Sequence, residues 1–346
     1  MKQLIIGVSG ISAVDNPCPG VGVARSLRED RELNAKIIGL AYDVMEPGIY
    51  LDWLFDKIFM IPYPSHDKDT FIHRLRYIKK NYGLDFIIPN LDVELPLYAR
   101  YIDEVAALGI KLFIPTQEHL KLRAKDRLIE VARLINITSP ETHVVYTLEK
   151  LTNIIYRMGL PVMVKGIFYA AYKVNSVDEA CLYFERIVEE WGYPVIVQRI
   201  VCGEEMNVVG VGDGNGGIIG QVGIKKMWLT SLGKIWNGVT IKNSAMLKAS
   251  ETFVSLYNWR GPFELECIVD NSDIYLIEIN PRFPAWSYFA AGVGINLPAN
   301  TVRMAFDLDL LHPGRDYEAG KLYIRYTYET IADMKILQNI ITRGEN

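Results

Sequence analysis

The sequence predicts an α/β protein in which a parallel sheet comes first and a mixed α+β region follows. Three observations support this prediction. Short apolar runs alternate with amphipathic stretches as far as about Pro115, a pattern typical of strand–helix units in a parallel sheet covered on both faces. Longer helix-like stretches continue to about Glu190. The remaining chain is rich in strand-like runs and contains a hairpin signal.

The first part contains five predicted strands with helices between them. The strands are expected at QLIIGV, AKIIGLA, KIFMIP, DFIIPN and KLFIP, and the helices at about Val21–Arg28, Asp69–Lys80 and Leu95–Ala107. The glycine-rich GVSGISAVDNPCPGVGVARSL lies between the first strand and its helix, where a helix N-terminus could hold an anion. Its spacing does not match G-x-G-x-x-G, so a structural turn is favoured over a dinucleotide site.

The later elements follow from periodicity and turn residues. EHLKLRAKDRLIEVARLINI repeats apolar residues at i, i+3 and i+4, and SVDEACLYFERIVEEW opens on a Ser176–Glu179 capping box, with a strand LPVMVKG between them. Further strands are expected at YPVIVQRIV, MNVVGVGD, GIIGQVGIKKMW and KIWNGVTI, then a helix near Ala245–Asn258. FELECIVD and IYLIEIN form the last predicted pair, joined by turn residues at Asn271–Asp273.

The composition argues against several classes of protein. With 346 residues, 50% of them hydrophobic, the chain can bury a large core in two or three subdomains. A net charge of −4 and a pI near 5.8 give nucleic acid binding no electrostatic support. No export signal or membrane span is evident, and the four cysteines form no C-x-x-C pair. We therefore expect free thiols and a cytoplasmic protein that binds neither nucleic acid nor membrane.

The segment YLIEINPRF places Glu278, Asn280 and Arg282 at alternate positions of an apolar strand. Side chains alternate across a strand, so these three groups share one face, while Leu276, Ile277 and Ile279 are expected to serve the packing. A buried row of carboxylate, amide and guanidinium needs a partner, because unpaired charge inside a protein is expensive.

The preceding strand adds Glu266, which the hairpin turn brings beside Glu278 and Asn280. Oxygen ligands of this kind suit Mg²⁺, which takes few protein groups and leaves other positions to water and phosphates. We favour this metal site over a solvated hairpin face, because such a face rarely contains Asn and Pro within an apolar strand.

A magnesium–nucleotide complex also needs cations for its phosphates. Lys165 ends the apolar strand LPVMVKG, and Arg127 in AKDRLIEVA is a second candidate, although each alone is more typical of a surface cation. The connector RIVCGEE would expose backbone groups for an adenine edge. Glu205, seven residues after Gln198, could accept hydrogen bonds from ribose, although connector glutamates are usually only solvated.

The order of AKDRLIEVARLINITSPET, GLPVMVKG, VIVQRIVCGEE and GPFELECIVDNSDIYLIEINPRFP resembles the ATP-grasp superfamily, most closely the synthetase halves of the carbamoyl phosphate synthase large subunit. IIPNLDVELPLY resembles the pre-ATP-grasp domain, and AAGVGINLPANTVRMA resembles the helix after the metal strand. The resemblance runs from about residue 1 to 305. It implies a Rossmann-like pre-ATP-grasp sheet in residues 1–115, a lid subdomain in 116–195, and a larger subdomain in 196–346 with the metal site.

The resemblance also implies a role for each candidate residue. ATP would be bound by Arg127 and Lys165 at the phosphates, by Gln198, Arg199, Ile200 and Val201 at adenine, and by Glu205 at ribose. Mg²⁺, or Mn²⁺ as an alternative, would be held by Glu266, Glu278 and Asn280, and Arg282 would contact phosphate. Lys226 in GIKKMW is a further γ-phosphate candidate, and Lys225 could equally fill that role.

The sequence departs from the family in two ways. Where relatives carry a glycine-rich lid, it reads KGIFYAAYKVNS. In one interpretation Phe168, Tyr169 and Tyr172 stiffen the lid or contact the acceptor as well as ATP, and in the other they pack on their own domain. The chain also carries one synthetase unit, with no second copy, glutaminase domain or biotin-carrier segment.

The resemblance implies an ATP-dependent ligase that activates a carboxylate as an acyl phosphate and joins it to an amine, releasing ADP and phosphate. The carboxylate would be a small molecule or a peptide, and a homodimer is one option for its assembly. Two alternatives stay open. One is a carbamoyl phosphate synthase-like or carboxyphosphate-forming enzyme that uses bicarbonate, and the other is a nucleotide-binding sensor or scaffold without turnover.

Overall fold

Three sheets follow one another along the chain in the computed structural model, which describes residues 3–14, 17–230, 233–314, 316–327 and 329–346. The strands are β1 Leu4–Ser9, β2 Ala35–Ala41, β3 Lys57–Met60, β4 Phe86–Ile88, β5 Lys111–Leu112, β6 Thr142–Val145, β7 Val162–Gly166, β8 Ala171–Val174, β9 Val195–Arg199, β10 Glu204–Asp213, β11 Ile218–Leu229, β12 Ile235–Ile241, β13 Arg260–Asp270, β14 Asp273–Asn280 and β15 Leu322–Ile324. The α-helices are α1 Gly20–Glu29, α2 Lys68–Tyr82, α3 Leu95–Arg100, α4 Ile102–Ala107, α5 Gln117–Lys121, α6 Leu128–Leu134, α7 Leu148–Met158, α8 Val177–Trp191, α9 Ser244–Tyr257, α10 Ser287–Gly292, α11 Leu297–Ala305 and α12 Met334–Arg343.

The first sheet is parallel, in the order β3-β2-β1-β4-β5, as the strand–helix alternation predicts. Helix α1 packs on one face, where Val23 joins Ile6 in a core cluster. Helix α2 packs on the other face, where Leu75 joins Leu40. Both faces are therefore buried, which explains why the strands read as continuous apolar runs rather than alternating ones.

The glycine-rich segment after β1 brings helix α1 against the end of the strand. The Gly20 N–H donates to the Gly10 carbonyl at 2.9 Å. A Cβ atom added at Gly20 would lie 2.2 Å from the Ser9 carbonyl oxygen, so only glycine permits this approach. These contacts support the interpretation of the segment as a structural turn.

The outer edge of β3 is covered by residues from the far end of the chain. Ile58 and Asn346 exchange two backbone hydrogen bonds, of 2.9 and 3.1 Å, and the Met60 N–H donates to the Gly344 carbonyl at 2.8 Å. The Arg74 guanidinium donates to the Met60 and Gly344 carbonyls, at 2.7 and 2.6 Å, and so fastens the two segments. This pairing protects an edge that would otherwise expose unpaired backbone groups.

The other two sheets are antiparallel and have the orders β6-β9-β7-β8 and β14-β13-β10-β11-β12-β15. Helices α7 and α8 cover the smaller sheet through residues such as Ile155 and Ile187. Helices α6 and α9 cover one face of the larger sheet through residues such as Val131 and Phe253. The predicted β13–β14 hairpin is confirmed, with Asn271 in its turn at a φ of 54°.

Two predicted helices are interrupted. Leu95–Ala107 divides at Tyr101 into α3 and α4, and EHLKLRAKDRLIEVARLINI forms the short helices α5 and α6 with residues 122–127 between them. In that connection the Lys125 N–H donates to the Ile167 carbonyl at 3.2 Å, a bond to another part of the chain that replaces a helical one. Tertiary contacts therefore override the apolar periodicity here.

Helix α8 starts where the capping box predicts, but the box is only half formed. Ser176 Oγ accepts a hydrogen bond from the Glu179 N–H at 3.1 Å. Glu179 Oε2 accepts from the Asn175 N–H at 2.7 Å rather than from that of Ser176. The Glu179 carboxylate therefore binds the backbone of Asn175, the residue before the N-cap, instead of completing the capping box.

All four cysteines are free thiols, as expected. Cys267 is buried in the core of the larger sheet, and burial together with Glu266 and Glu264 raises the pKa of its thiol. Among the helices of the described residues, none combines the length and the apolar character that crossing a membrane requires.

Glu94 is fully buried near the carboxyl ends of the parallel strands. Its carboxylate accepts hydrogen bonds from Ser9 Oγ at 2.6 Å, from Tyr42 Oη at 2.6 Å and from the Leu91 N–H at 2.8 Å. Burial outweighs these hydrogen bonds and raises the pKa of Glu94 to about 7. The folded protein therefore retains a proton on Glu94 at pH values where the unfolded chain has released it.

We expect Glu94→Gln to change the pH dependence of stability. Because folding raises this pKa, the stabilisation is complete below about 4.5, the ordinary value, and is lost as pH rises through about 7. Glutamine mimics the protonated acid, so the unfolding free energy of the wild type should fall relative to the variant by up to about 1.4 kcal/mol per pH unit in this window. Denaturant titrations from pH 4.5 to 7.5 measure the difference.

Glu149→Gln, at an exposed position, is the control and should follow the wild type across the same pH range. A constant difference between Glu94→Gln and the wild type would show that Glu94 does not titrate in this window.

Candidate active site

The β13–β14 hairpin places three carboxylates and one amide next to one another. In the antiparallel register Glu264 lies opposite Asn280, and Glu266 lies opposite Glu278. Asn280 Nδ2 donates to Glu266 Oε1 at 2.7 Å and to Glu264 Oε2 at 3.0 Å. The hairpin therefore brings together Glu266, Glu278 and Asn280, the three predicted metal ligands.

A β-bulge explains how this polar row coexists with a packed core. The register shifts between Glu266 and Cys267, so that Cys267 pairs with Leu276 while Glu266 pairs with Glu278. Strict alternation would put Leu276 on the carboxylate face, but the extra residue on β14 lets Leu276 and Ile279 enter the same core. Simple alternation of side chains therefore does not predict which residues of β14 face the core.

Glu264 is a site residue that the sequence analysis missed. It is 3% exposed and accepts hydrogen bonds from Asn207 Nδ2 and Trp286 Nε1, both at 2.7 Å, and from Asn280. Burial and the neighbouring Glu266 raise its pKa to about 7. The available signal was the E-x-E spacing of FELEC, which puts Glu264 on the same face as Glu266.

Lys226 neutralises the row from strand β11. Its Nζ lies 2.8 Å from Glu266 Oε2 and 3.1 Å from Glu205 Oε2, and the side chain is 6% exposed. Burial alone would lower the pKa of Lys226, but the surrounding carboxylates raise it above its usual value. The structure thus brings Lys226 and Glu205 to the predicted site, whereas Lys225 pairs with Glu204 instead.

Two further lysines approach from the smaller sheet and from the turn before α6. Lys165 Nζ donates to Gln198 Oε1 at 2.7 Å, and burial together with Lys125 lowers the pKa of Lys165 to about 8. Lys125 Nζ lies 3.2 Å from Glu278 Oε1 and donates to the Phe168 carbonyl at 2.8 Å. Both lysines are 6% exposed, so their charges act in a poorly solvated environment.

The structure does not bring Arg127 to this cluster. Its side chain is 61% exposed and its nearest carboxylate is Glu130, at 3.8 Å. Lys125, two residues earlier, occupies the position expected of Arg127, because residues 122–127 form a turn and not a helix. The sequence offered two cations in AKDR and no local feature that distinguished them.

The predicted adenine connector is only partly in position. The Gln198 side chain is 2% exposed and bonds to Lys165 and to Thr142 Oγ1. The Arg199 side chain points away and pairs with Glu141 at 2.5 Å. Ile200 and Val201 lie half-buried between β9 and β10. Any contact with a base would therefore use the backbone of this connector and not the Arg199 guanidinium.

Arg282 links the hairpin to the first sheet. Its Nε and Nη2 lie 3.0 and 2.9 Å from Asp92 Oδ2, while Arg123 Nη1 lies 3.2 Å from Asp92 Oδ1. Burial would raise the pKa of Asp92, but the two guanidinium groups hold it below its usual value. Arg282 is therefore at the site as predicted, and Asp92 and Arg123 are additions to it.

The aromatic loop after β7 packs on its own surroundings. Tyr172 stacks on Tyr183 with ring centroids 4.1 Å apart, and Tyr169 lies 4.9 Å from Trp191. The Arg123 guanidinium lies 4.7 Å from the Phe168 ring centroid. Of the two interpretations left open by the sequence, these contacts favour packing within the protein, with Arg123 as the link to the charged cluster.

A cavity of about 270 Å³ lies beside the carboxylate row. It is lined by Asp92 and Asn90 beyond β4, by Lys226 of β11, by Lys234 just before β12, and by the carboxylate row. Among the described residues, no three His, Cys, Asp or Glu side chains are arranged to hold a metal by themselves. The two carboxylates and one amide of the predicted metal site instead fit an ion that takes its other ligands from a phosphate or from water.

No protein-family model matches the chain. Among curated proteins, the carbamoyl phosphate synthase large chain of Gemmatimonas aurantiaca is 24% identical over 286 residues, which are 78% of this chain and 25% of that protein. The same protein from Caldanaerobacter subterraneus is 23% identical over 170 residues, 46% of this chain and 16% of the relative. These matches confirm the resemblance, although the chain spans a quarter or less of the length of these relatives.

Solved structures confirm the predicted fold. The biotin carboxylase domain of Hydrogenobacter thermophilus 2-oxoglutarate carboxylase, solved with MgADP, ADP and bicarbonate, has a TM-score of 0.70 at 15% identity, over 93% of this chain and 73% of that one. The L-amino acid ligase of Bacillus licheniformis has a TM-score of 0.63 at 16% identity, over 90% of this chain and 75% of that one. These likenesses concern the fold.

We expect Arg123→Ala to loosen the aromatic loop. The variant removes the guanidinium that bridges Asp92 and the Phe168 ring, so the loop should open more often and expose its backbone. Limited chymotrypsin digestion followed by mass spectrometry should show cleavage after Phe168 and Tyr169 several-fold faster than in the wild type.

Arg127→Ala is a matched control, because Arg127 lies in the same turn and its side chain is exposed. It should leave the cleavage rate unchanged. Equal rates in Arg123→Ala and the wild type would mean that the loop is held without Arg123.

Proposed function

Because the chain has the ATP-grasp fold, we propose that it is an ATP-dependent ligase that activates a carboxylate as an acyl phosphate and joins it to an amine, releasing ADP and phosphate. The observation that carries the proposal is the contact of Lys226 with Glu266 and of Lys125 with Glu278, together with the buried Lys165, whose charge interacts with both carboxylates. Buried cations beside an oxygen-rich metal site are what a metal-bound triphosphate requires.

Glu266, Glu278 and Asn280 would hold Mg²⁺, or Mn²⁺ in its place. The fit rests on the donor set, which consists of two carboxylates facing each other across the hairpin and the Asn280 amide beside Glu266, all with hard oxygen atoms. When bound, the ion would neutralise charge on the phosphoryl group being transferred.

The side chains around this set would bind the nucleotide. Lys125 and Lys165 would pair with its phosphates, and Lys226 and Arg282 would lie close to the reacting end. The Gln198–Val201 connector would contact adenine through its backbone. Glu205, whose side chain is 41% exposed, would accept hydrogen bonds from ribose hydroxyls.

In the proposed reaction, a carboxylate oxygen of the acid bonds to the γ-phosphorus while the bond from that phosphorus to ADP breaks. The amine nitrogen then bonds to the acyl carbon, phosphate leaves with the electrons of the carbon–oxygen bond, and the amine loses a proton. Both steps depend on holding the reactants in line and on stabilising phosphoryl charge, which is the task of the lysines and Arg282.

Three further predictions from the sequence belong to this proposal. The four free thiols suit a reducing compartment, so we place the protein in the cytoplasm. The division into parts at residues 115 and 195 and the homodimer stay predictions. Sedimentation velocity measures the assembly.

Hydroxylamine tests the activation step without knowledge of the natural amine, because it converts acyl phosphates to hydroxamates. With ATP, Mg²⁺, hydroxylamine and a pool of carboxylic acids, we expect ADP, phosphate and hydroxamate in equal amounts. With the acid labelled by ¹⁸O in its carboxylate, one labelled oxygen should move into phosphate. Mass spectrometry measures both products.

Other outcomes would point elsewhere. ADP release that requires bicarbonate and no organic acid would favour a carboxyphosphate-forming enzyme. Nucleotide binding without turnover over the whole pool would favour a sensor or scaffold. Formation of AMP and pyrophosphate would contradict the acyl phosphate mechanism.

We expect Lys125→Ala and Lys165→Ala each to weaken transition-state stabilisation for ATP turnover by about 2–4 kcal/mol, because each removes a poorly solvated cation from the phosphate site. ATP affinity of the wild type should also fall as pH rises above about 8, where Lys165 loses its proton, and Lys165→Ala should not show this fall. Calorimetric titrations with ATP and steady-state ADP release measure the two effects.

Arg127→Ala is the matched control and should retain wild-type affinity and rate, because its side chain lies outside the cluster. A loss in Arg127→Ala as large as that in Lys125→Ala would restore the role that the resemblance gave to Arg127.

A further inference from the structure

A second cavity, of about 250 Å³, adjoins the charged one, and Cys18 and Ala285 line both. It lies between the start of α1, the start of α10 and the strands β12 and β15. Its walls are mainly apolar and aromatic, and the aromatic members are Trp236, Tyr288, Tyr323 and Tyr326. It therefore differs in chemistry from the charged cavity beside it.

Arg325 lines the second cavity and is bonded to Ala285, which lines both cavities. Its Nη2 donates to the carbonyl of Ala285 at 2.9 Å, and its Nε and Nη2 donate to Tyr323 Oη at 3.2 and 2.7 Å. Its Nη1 is buried and has no hydrogen-bond partner among the described residues, and in that part of the chain no carboxylate forms an ion pair with Arg325. A guanidinium oriented by neutral groups and lacking an anion is matched to an anionic ligand.

The rest of the lining limits what that ligand can be. Among the described lining residues the other cation is Arg25, which is exposed and stacks on Tyr288 at 3.8 Å, and none is acidic. Trp236 and Tyr323 lie beside the Arg325 guanidinium, at 5.9 and 5.6 Å from their ring centroids. Such walls favour a ligand that has one anionic group, placed at Arg325, and an apolar, planar body that contacts the aromatic side chains.

We propose that this cavity binds the acid substrate, a monocarboxylate with an apolar and preferably planar body, whose carboxylate pairs with Arg325. The inference rests on the proposed ligase function and names its substrate class. A carboxylate on Arg325 would lie close to Ala285, which lines both cavities, and so on the side of this cavity that faces the proposed phosphate site. Bicarbonate would leave the aromatic walls uncovered, and a dicarboxylate would bring a second charge against them.

Four probe compounds distinguish the contribution of the carboxylate charge to binding from that of the apolar body. Phenylacetate carries both, phenylacetamide keeps the body without the charge, acetate keeps the charge without the body, and succinate replaces the body by a second carboxylate. In calorimetric titrations of the whole chain without nucleotide, we expect phenylacetate to bind at least ten-fold tighter than each of the other three.

Two variants assign this preference to residues. Arg325→Gln should make phenylacetate and phenylacetamide bind equally, because the charged partner is gone. Tyr326→Ala should weaken both compounds alike, and Tyr156→Ala is its control, since both tyrosines are 75% exposed and Tyr156 lies on α7. If Arg325→Gln does not fold, Arg325→Lys keeps the charge but loses the planar fork and should reduce the preference.

Acetate or succinate binding as tightly as phenylacetate would overturn the proposal, as would an Arg325→Gln variant that still prefers phenylacetate over phenylacetamide. These titrations contain no ATP, so their result is separate from that of the hydroxamate assay. Hydroxamate formed from acetate without phenylacetate binding would reject the substrate class and keep the ligase. Phenylacetate binding that depends on Arg325, without any hydroxamate, would keep the site and reject the ligase.

Discussion

The structure depends on the neutralisation of a row of carboxylates inside the protein. Glu264, Glu266 and Glu278 lie side by side on one hairpin, where repulsion and desolvation would destabilise the fold unless each carboxylate had partners. Glu264 is satisfied by neutral donors and holds its proton more firmly, whereas Glu266 and Glu278 each receive a lysine. Glu264 and Glu266, two residues apart on β13, are thus stabilised in different ways, one by neutral hydrogen-bond donors and the other by an ion pair with lysine.

The cations that solve this problem come from separate regions of the chain. Lys226 comes from strand β11 of the same sheet, Lys125 from the turn before α6, and Arg282 from beyond the hairpin itself, where it shares Asp92 with Arg123. Apolar packing forms each core. The ion pairs of Lys226, Lys125 and Arg282 are directional, so they specify which charged groups from different parts of the chain come into contact. A charge pair tolerates a shift of one residue far less than an apolar contact does.

The parts of this arrangement that local chemistry determines could be predicted from the sequence. The parallel sheet follows from strand–helix alternation, and the hairpin with Glu266, Glu278 and Asn280 follows from a turn between two apolar strands. The choice of Lys125 over Arg127 could not be predicted, because it depends on a turn that the Ile167 carbonyl stabilises from another region. The bulge that moves Leu276 into the core and the pairing of Ile58 with Asn346 are likewise set by tertiary contacts.

The pairing of residues 344–346 with β3 also has a consequence for the order in which the protein matures. β3 lies far ahead of residues 344–346 in the sequence, so the first sheet leaves the ribosome well before the segment that covers its outer edge. While the intervening residues are being synthesised, the edge of β3 is uncovered and can pair with other chains. The hydrogen bonds from Arg74 to Met60 and Gly344 can form only after this interval, when both segments have been synthesised.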